Sequence, residues 1–325
     1  MSLGWILILI LVLAAVVEGL RRYQMYREQP QLNSEAFDGE VLRIGEAYAS
    51  VPRREGQPAY TVIAMHGFLE DHRYFLDLYS DPACELILLT SADYHPPVEN
   101  LSATAPAWAR PPSHLVGTIA YDADVLNQVL EHLPTTDRIR LHGHSRGGAV
   151  VIQAANQRQE LHCDSPRQIE TLLEAPVLPQ AEPHRALKRS FNPVARWLLP
   201  FTMPLIKRIP FDTYARKVFG KVSGRKRELL SQMFFNPKRY ATLLTNAADI
   251  NDWMAGTGLY EYRACAPGYI LVGEDERVLH RASMLASAQE AGKHLKVLEM
   301  PGTTHFITQD RPQDIPAPLA SGPAS

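Results

Sequence analysis

The chain opens on its most apolar stretch. Leu3 to Val17 is broken only by Gly4, and Leu20 follows after Glu18 and Gly19. A helix that crosses a bilayer needs about 20 such residues, about 17 at the short end. The apolar core of a secretory leader runs to roughly 7–15. No Lys or Arg precedes the run, no A-x-A site follows it, and Trp5 stands where an interfacial aromatic would stand. Residues 1–22 are therefore expected to form a retained transmembrane anchor, with a cleaved signal peptide and then a buried soluble helix as the alternatives. Arg21, Arg22 and Arg27 lie just beyond, and positive charge stays on the cytoplasmic side. That bias faces the globular part to the cytoplasm, with a periplasmic or extracytoplasmic face as the other option.

Beyond the anchor, short apolar runs alternate with helical spacing. Phe37 to Val51 alternates loosely and supplies the first strands. Thr61 to Met65 and Glu85 to Thr90 are compact β-branched and apolar runs. Ala92 to Ser113 is rich in Pro and Ala and reads as a long loop. From Gly117 to Leu133 the residues Ile119, Val125, Leu126, Val129 and Leu130 share one helical face, and Pro134 stops the helix. A strand is expected at Arg138–His142 and a helix at Gly147–Gln157. Further strands follow at Ile169–Val177, Gly268–Gly273 and Leu295–Met300. Strands alternating with helices predict an α/β fold with a mostly parallel sheet covered on both faces. Leu178 to Ala264 breaks the rhythm with helix-like stretches and no strand, and reads as an inserted lid. The expected division is a first core part over 23–177, a basic helical lid over 178–264, a second core part over 265–312 and a flexible Pro/Ala/Ser tail over 313–325.

Composition narrows the functional classes. A formal net charge of -2 over 325 residues gives no global basic field for nucleic acid, and no nucleic-acid partner is expected. Cys84, Cys163 and Cys265 fit neither a disulfide framework nor a zinc site, and are expected to be reduced, packed thiols. The chain has no His/Cys cluster at ligand spacing, no P-loop and no G-x-G-x-x-G, so no metal or cofactor is implied.

The chemistry concentrates in Leu141-His142-Gly143-His144-Ser145-Arg146-Gly147-Gly148. Gly143-His144-Ser145-Arg146-Gly147 fits G-x-S-x-G, with a strand before it and a helix after. A strand that turns at once into a helix strains the serine backbone, and side chains two positions either side would collide. On these residues the chain resembles the α/β-hydrolase superfamily over positions 60 to about 310, with Ser, acid and His in the family's order. The resemblance implies an α/β-hydrolase fold, a mostly parallel central sheet flanked by helices, to which the helical lid insertion and the N-terminal transmembrane helix read above are added. It implies Ser145 as nucleophile and His305, in Pro301-Gly302-Thr303-Thr304-His305-Phe306 after the last strand, as general base. His66-Gly67-Phe68 resembles the oxyanion loop, giving the backbone N–H groups of Phe68 and Arg146 as the oxyanion hole, with both side chains free to shape the pocket. His66, Gly67, Leu69 and His144 are expected around the substrate pocket, and His66 and His142 are not expected to be the base. The acid lies in Gly273-Glu274-Asp275-Glu276-Arg277-Val278. Asp275, of the usual residue type, is expected; Glu276, three after the glycine, is the alternative, and Glu174 a remote third.

Between Leu178 and Tyr240 stand fourteen basic residues and three acids, interleaved with large apolar side chains. Such basic, aromatic, amphipathic stretches suit anionic bilayer surfaces. The expectation is a serine carboxylic-ester hydrolase for acyl or lipid esters, of esterase, lipase or lysophospholipase type, acting through an acyl-enzyme. Its partners would be the ester substrate and a membrane, met by the N-terminal helix and the basic lid. An acyl thioesterase or other chemistry of the same triad is one alternative. A catalytically silent membrane-associated scaffold that binds lipid or protein is another.

Overall fold

The computed structural model describes residues 2–32, 34–183, 193–222 and 224–319; Arg185, Lys188, Arg189 and Phe191 of the insertion lie outside the described residues. Helix α1 (Leu3–Tyr26) runs past the expected boundary at residue 22, because Met25 reaches the apolar core and the polar turn before it stays helical. A hairpin of β1 (Gly39–Ile44) and β2 (Ala47–Pro52) follows. Next come β3 (Tyr60–Met65), β4 (Cys84–Thr90), α2 (Ile119–His132), β5 (Arg138–His144), α3 (Arg146–Gln157) and β6 (Gln168–Glu174). The Thr118 hydroxyl caps α2 by accepting from the Tyr121 N–H at 3.2 Å.

The eight strands form one sheet in the order β1-β2-β4-β3-β5-β6-β7-β8, with β7 at Gly268–Gly273 and β8 at Leu295–Met300. Only the β1–β2 and β2–β4 pairs are antiparallel. The two central strands show why both faces must be covered. Ile63, Met65, Ile87 and Leu89 enter one core with α2 and α3. Val62, Ala64, Leu86 and Leu88 enter a second core on the opposite face. That second face is covered by the insertion between β6 and β7, whose described residues form α4 (Pro193–Ile206), α5 (Asp212–Phe219), α6 (Gly224–Ser231) and α7 (Tyr240–Gly256), and no strand. Met203, Phe219, Leu230 and Leu243 from these helices, and Met233 between α6 and α7, share the second core with Met25 of α1. Helices α8 (Arg281–Gln289) and α9 (Ile307–Asp310) complete the chain order.

Two sequence expectations need correction. Cys84 and Cys265 are buried, but Cys163 is exposed. Of the tail expected to be flexible, residues 316–319 are tied to the sheet through their backbone, and 320–325 lie outside the described residues. The cause is Arg140, fully buried on β5. Its guanidinium donates to Glu170 at 2.6 Å and to the carbonyls of Pro316 and Ala317 at 2.7 and 2.9 Å. Leu319 is itself buried, with its N–H on the same Glu170 carboxylate. A Pro/Ala/Ser segment offers few side chains to predict packing from, yet its carbonyls are acceptors that a buried cation needs.

Truncation after Asp314 removes two acceptors from this buried guanidinium. Stability is expected to fall by about 3 kcal/mol or more, since each hydrogen bond to a charged group contributes about 1.5–3 kcal/mol. A drop in the urea midpoint at near-constant slope is the readout. A truncated chain as stable as the full one would mean that water replaces those carbonyls at no cost.

Candidate active site

Ser145 sits between β5 and α3 with φ 51° and ψ -117°, a region that side-chain-bearing residues rarely adopt. Its N–H donates to the Glu174 carbonyl, and its own carbonyl accepts from the Gly148 and Val177 N–H groups. These bonds hold the backbone in its strained form from both sides. The flanking glycines are steric necessities. A Cβ on Gly143 would lie 2.4 Å from the Gly147 carbonyl oxygen, and one on Gly147 would lie 2.0 Å from that of Met65. The Ser145 hydroxyl does not cap α3, so the helix makes no structural use of that oxygen.

His305 follows β8 and is nearly fully buried. Its Nδ1–H donates to Glu276 Oε2 at 2.7 Å. The other Glu276 oxygen accepts from the N–H groups of Val278 and Leu279 at 2.7 and 3.0 Å. Burial alone would raise the Glu276 pKa, but the charge and hydrogen bond of His305 and the two backbone donors outweigh it and hold the carboxyl below its usual range. A carboxylate on Nδ1 fixes the tautomer whose Nε2 lone pair is available to take a proton. Asp275, the expected partner, is instead half exposed and paired with Arg277 at 2.8 and 2.9 Å. The backbone N–H groups two and three residues after Glu276 capture its carboxylate and turn it inward, whereas Asp275 has a guanidinium two residues away in solvent. Glu174 is fully buried but engaged elsewhere, accepting from Tyr74, His142 and both donors of Thr308.

The four residues expected around the pocket are all buried. His66 donates from Nδ1 to the Gly67 carbonyl and accepts at Nε2 from the Ser91 N–H. Burial keeps it neutral, below its ordinary pKa. Leu69, at φ 65°, has its carbonyl on Asn236 and its N–H on the Tyr94 hydroxyl. The Arg146 side chain does not shape a pocket either: it is buried and bound to Asp122 at 2.6 Å and to the Gly117 carbonyl at 3.1 Å. In the Gly67–Glu70 loop the N–H groups of Gly67, Leu69 and Glu70 are engaged. That of Phe68 has no such partner among the described residues, and Arg146 is the first residue of α3, where helix N–H groups point free.

Beside His305–Glu276 and His142–Glu174 stands a third buried histidine–carboxylate pair, which sequence reasoning missed. His144, beside the serine, donates from Nδ1 to Glu70 Oε2 at 2.7 Å and from Nε2 to the His305 carbonyl at 2.9 Å. Both partners accept, so both ring nitrogens carry protons and the ring is cationic. Burial opposes the charge, but the Glu70 carboxylate outweighs it and the pKa is pushed up to about 9. Glu70 Oε2 also accepts from the Gly67 N–H at 2.8 Å. One ion pair thus ties the loop after β3, the serine turn and the His305 loop together. An acid three residues past a loop glycine reads as solvated, so the sequence carried no signal for Glu70.

The insertion packs against this cluster. Lys226 of α6 is buried and binds Thr304 and Asp310 at 2.9 and 2.8 Å, immediately beside His305. Phe219 of α5 meets Phe306 edge-on with ring centroids 5.6 Å apart. The cavity between Glu70, Tyr74, Lys226 and Phe306 measures only about 10 Å³, barely room for one water.

A sequence profile described as the alpha/beta hydrolase family matches residues 62–315. Among solved structures, a putative lipase from Acinetobacter baumannii AYE superposes with a TM-score of 0.60 at 13% identity, covering 92% of this chain and 91% of that one. An esterase from Exiguobacterium antarcticum gives 0.59 at 15% identity over 84% and 94%. An N-formylmaleamic acid deformylase from Pseudomonas putida S16 gives 0.56 at 11% identity over 85% and 97%. At such identities the structural likeness speaks for the fold alone. Comparison with curated protein sequences returned no match.

His144 generates a pH prediction. Its folded pKa, about 9, lies above the ordinary value of 6.5, so its contribution to stability is fully present below pH 6.5 and is lost as pH rises through 9. Urea midpoints across that window are expected to fall for the wild type and to stay flatter for His144→Asn. Parallel curves would show that the ring is not held cationic.

Proposed function

Because the chain belongs to the alpha/beta hydrolase family, we propose that it is a serine carboxylic-ester hydrolase in which Ser145 is the nucleophile, His305 the base and Glu276 the acid. The observation that carries this reading is the Ser145 backbone, forced to φ 51° and ψ -117° at a strand–helix turn while its hydroxyl serves no structural bond to the helix. Strain of this kind persists only where its surroundings over-determine it. The buried His305–Glu276 pair supports the same reading from the other end of the chain.

Chemistry then follows from the parts. Ser145 Oγ attacks the ester carbonyl carbon as its proton passes to His305 Nε2. The carbonyl oxygen gathers negative charge beside the N–H groups of Phe68 and Arg146, each such donor contributing on the order of 10²–10³ in rate. Collapse breaks the bond to the alcohol, which leaves with the proton from His305. Water, deprotonated by His305, attacks the acyl-enzyme, releases the carboxylic acid and restores Ser145. Glu276 stays ionised throughout and stabilises the imidazolium.

The substrate class is read from the surroundings. Phe306 and the insertion present apolar surface next to His305, which favours a hydrophobic acyl group. Ser145 and His305 are only 6% and 3% exposed, so an acyl chain reaches them when the insertion moves, and the insertion acts as a lid latched by Lys226 on Thr304 and Asp310. Helix α1, 24 residues long with an 18-residue window of mean hydropathy 2.6 and no burial, is taken as a retained membrane anchor. Met25 at its end belongs to the second core, which supports retention over cleavage.

A fluorophosphonate probe is expected to label the wild type and not Ser145→Ala. Absence of labelling in the folded wild type would overturn the enzyme reading. On short esters, Glu276→Gln is expected to lower kcat on the order of 10³–10⁴-fold, while Asp275→Asn stays within about threefold, as for surface substitutions away from a site. The reverse order would reinstate Asp275 as the acid.

A further inference from the structure

The exposed apolar surface of α1 continues onto a second helix. From Ser2 to Val16 every described position of α1 is exposed; shielding starts at Val17 and follows a helical stripe through Glu18, Arg21, Gln24 and Met25. Leu3 to Val16 is fourteen residues, which at about 1.5 Å per residue reach about 21 Å. That is short of the ~30 Å hydrocarbon core of a bilayer. A spanning α1 therefore carries its shielded stretch down into the near face of the membrane, together with the elements packed there, α4 and α7.

Helix α4 is suited to that depth. Its inner face places Leu199, Met203 and Ile206 in the second core with Met25. Its outer face leaves Val194, Trp197, Leu198 and Leu205 exposed, and Ile209 just beyond its end is 47% exposed. A helix apolar on both sides at the surface of a water-soluble body is unfavourable, and contiguous apolar surface marks a place of contact. The charge around it has one sign. Arg196, Lys207, Arg208, Arg216, Lys217 and Lys221 stand against Asp212 alone between Pro193 and Val222, and Asp212 is already paired with Arg227.

We propose that α4 is an interfacial membrane helix. It lies in the headgroup layer of the leaflet that α1 enters, with its outer apolar face toward the acyl chains and the surrounding basic side chains toward anionic lipid. This rests on α1 being embedded in the membrane, as read above. The consequence is that the insertion meets its substrate from the lipid side, with α4 fixing the depth at which the site beneath it rides.

The test uses the full-length chain in vesicles of phosphatidylcholine and phosphatidylglycerol, with exposed Cys163 replaced by serine. An environment-sensitive fluorophore is placed in turn at Val194→Cys, Leu205→Cys, Ile10→Cys in α1 and Leu115→Cys, which is 71% exposed on the body. Brominated acyl chains are expected to quench the two α4 labels and the α1 label while leaving the Leu115 position bright. The α4 quenching should weaken when phosphatidylglycerol is omitted; no change would overturn the anionic-lipid part. Quenching at Ile10 without quenching at either α4 position overturns the inference and leaves the anchor standing. A blue-shifted but unquenched α4 label means that protein, such as a second copy of the chain, covers the face, and also overturns it. No quenching at Ile10 removes the anchor and the inference together.

Discussion

Two stretches of backbone pass each other at the serine turn more closely than any side chain would allow. The carbonyl of Met65, at the end of β3, occupies the space where a Cβ of Gly147 would stand. This proximity is set by the sheet, where β3 and β5 pair in parallel with Met65 opposite Gly143. The loop that leaves β3 must therefore start beside the loop that leaves β5. The Gly67–Glu70 segment has no freedom to be elsewhere, and the N–H of Phe68 comes to the same edge of the sheet as that of Arg146. β7 and β8 deliver Glu276 and His305 to that edge because they too run parallel. A shared strand direction, rather than any single contact, is what gathers residues 68, 145, 276 and 305.

Strand β5 shows a division of labour between its faces. Ile139 and Leu141 feed the first core, while Arg140, His142 and His144 point the other way and are fully buried. Each of the three has its own carboxylate: Glu170, Glu174 and Glu70. The Glu174 carboxyl shows how complete the pairing is. Burial opposes its charge, yet hydrogen bonds from His142 and Tyr74 and the nearby His144 hold its pKa at about 2. Replacing such a pair by well-packed apolar groups is often neutral, whereas separating its partners is costly, so each pair penalises any other arrangement of the elements it joins. Here the joined elements are those that carry Ser145, His305 and the loop after β3.

The readable parts of the sequence were those fixed by sterics and chain order. Gly143 and Gly147 announce a cramped turn because nothing else fits. His305 stands out among twelve histidines only because it follows the last strand. The choice of acid was less legible, since residue type favoured Asp275 and spacing favoured Glu276. The carboxylate that meets His305 is the one at that spacing, because what turns a carboxylate inward is the position of backbone N–H groups, here those of Val278 and Leu279. Glu70 and Lys226 were invisible, because their partners lie 74 and 84 residues away. Arg146 misled in the opposite sense: beside a nucleophile it suggested a pocket wall, and it is instead a buried strut to Asp122.

The Arg140 contacts have a bearing on how the chain is made. Arg140 precedes the carbonyl of Pro316 by 176 residues. At a synthesis rate of about 5–20 residues per second, that interval lasts on the order of 10 s or longer. Until then the Arg140 guanidinium lacks the carbonyls of Pro316 and Ala317, while β6, β7 and β8 are added to the sheet in turn. The polar face of β5 is thus completed only after every strand of the sheet has been made.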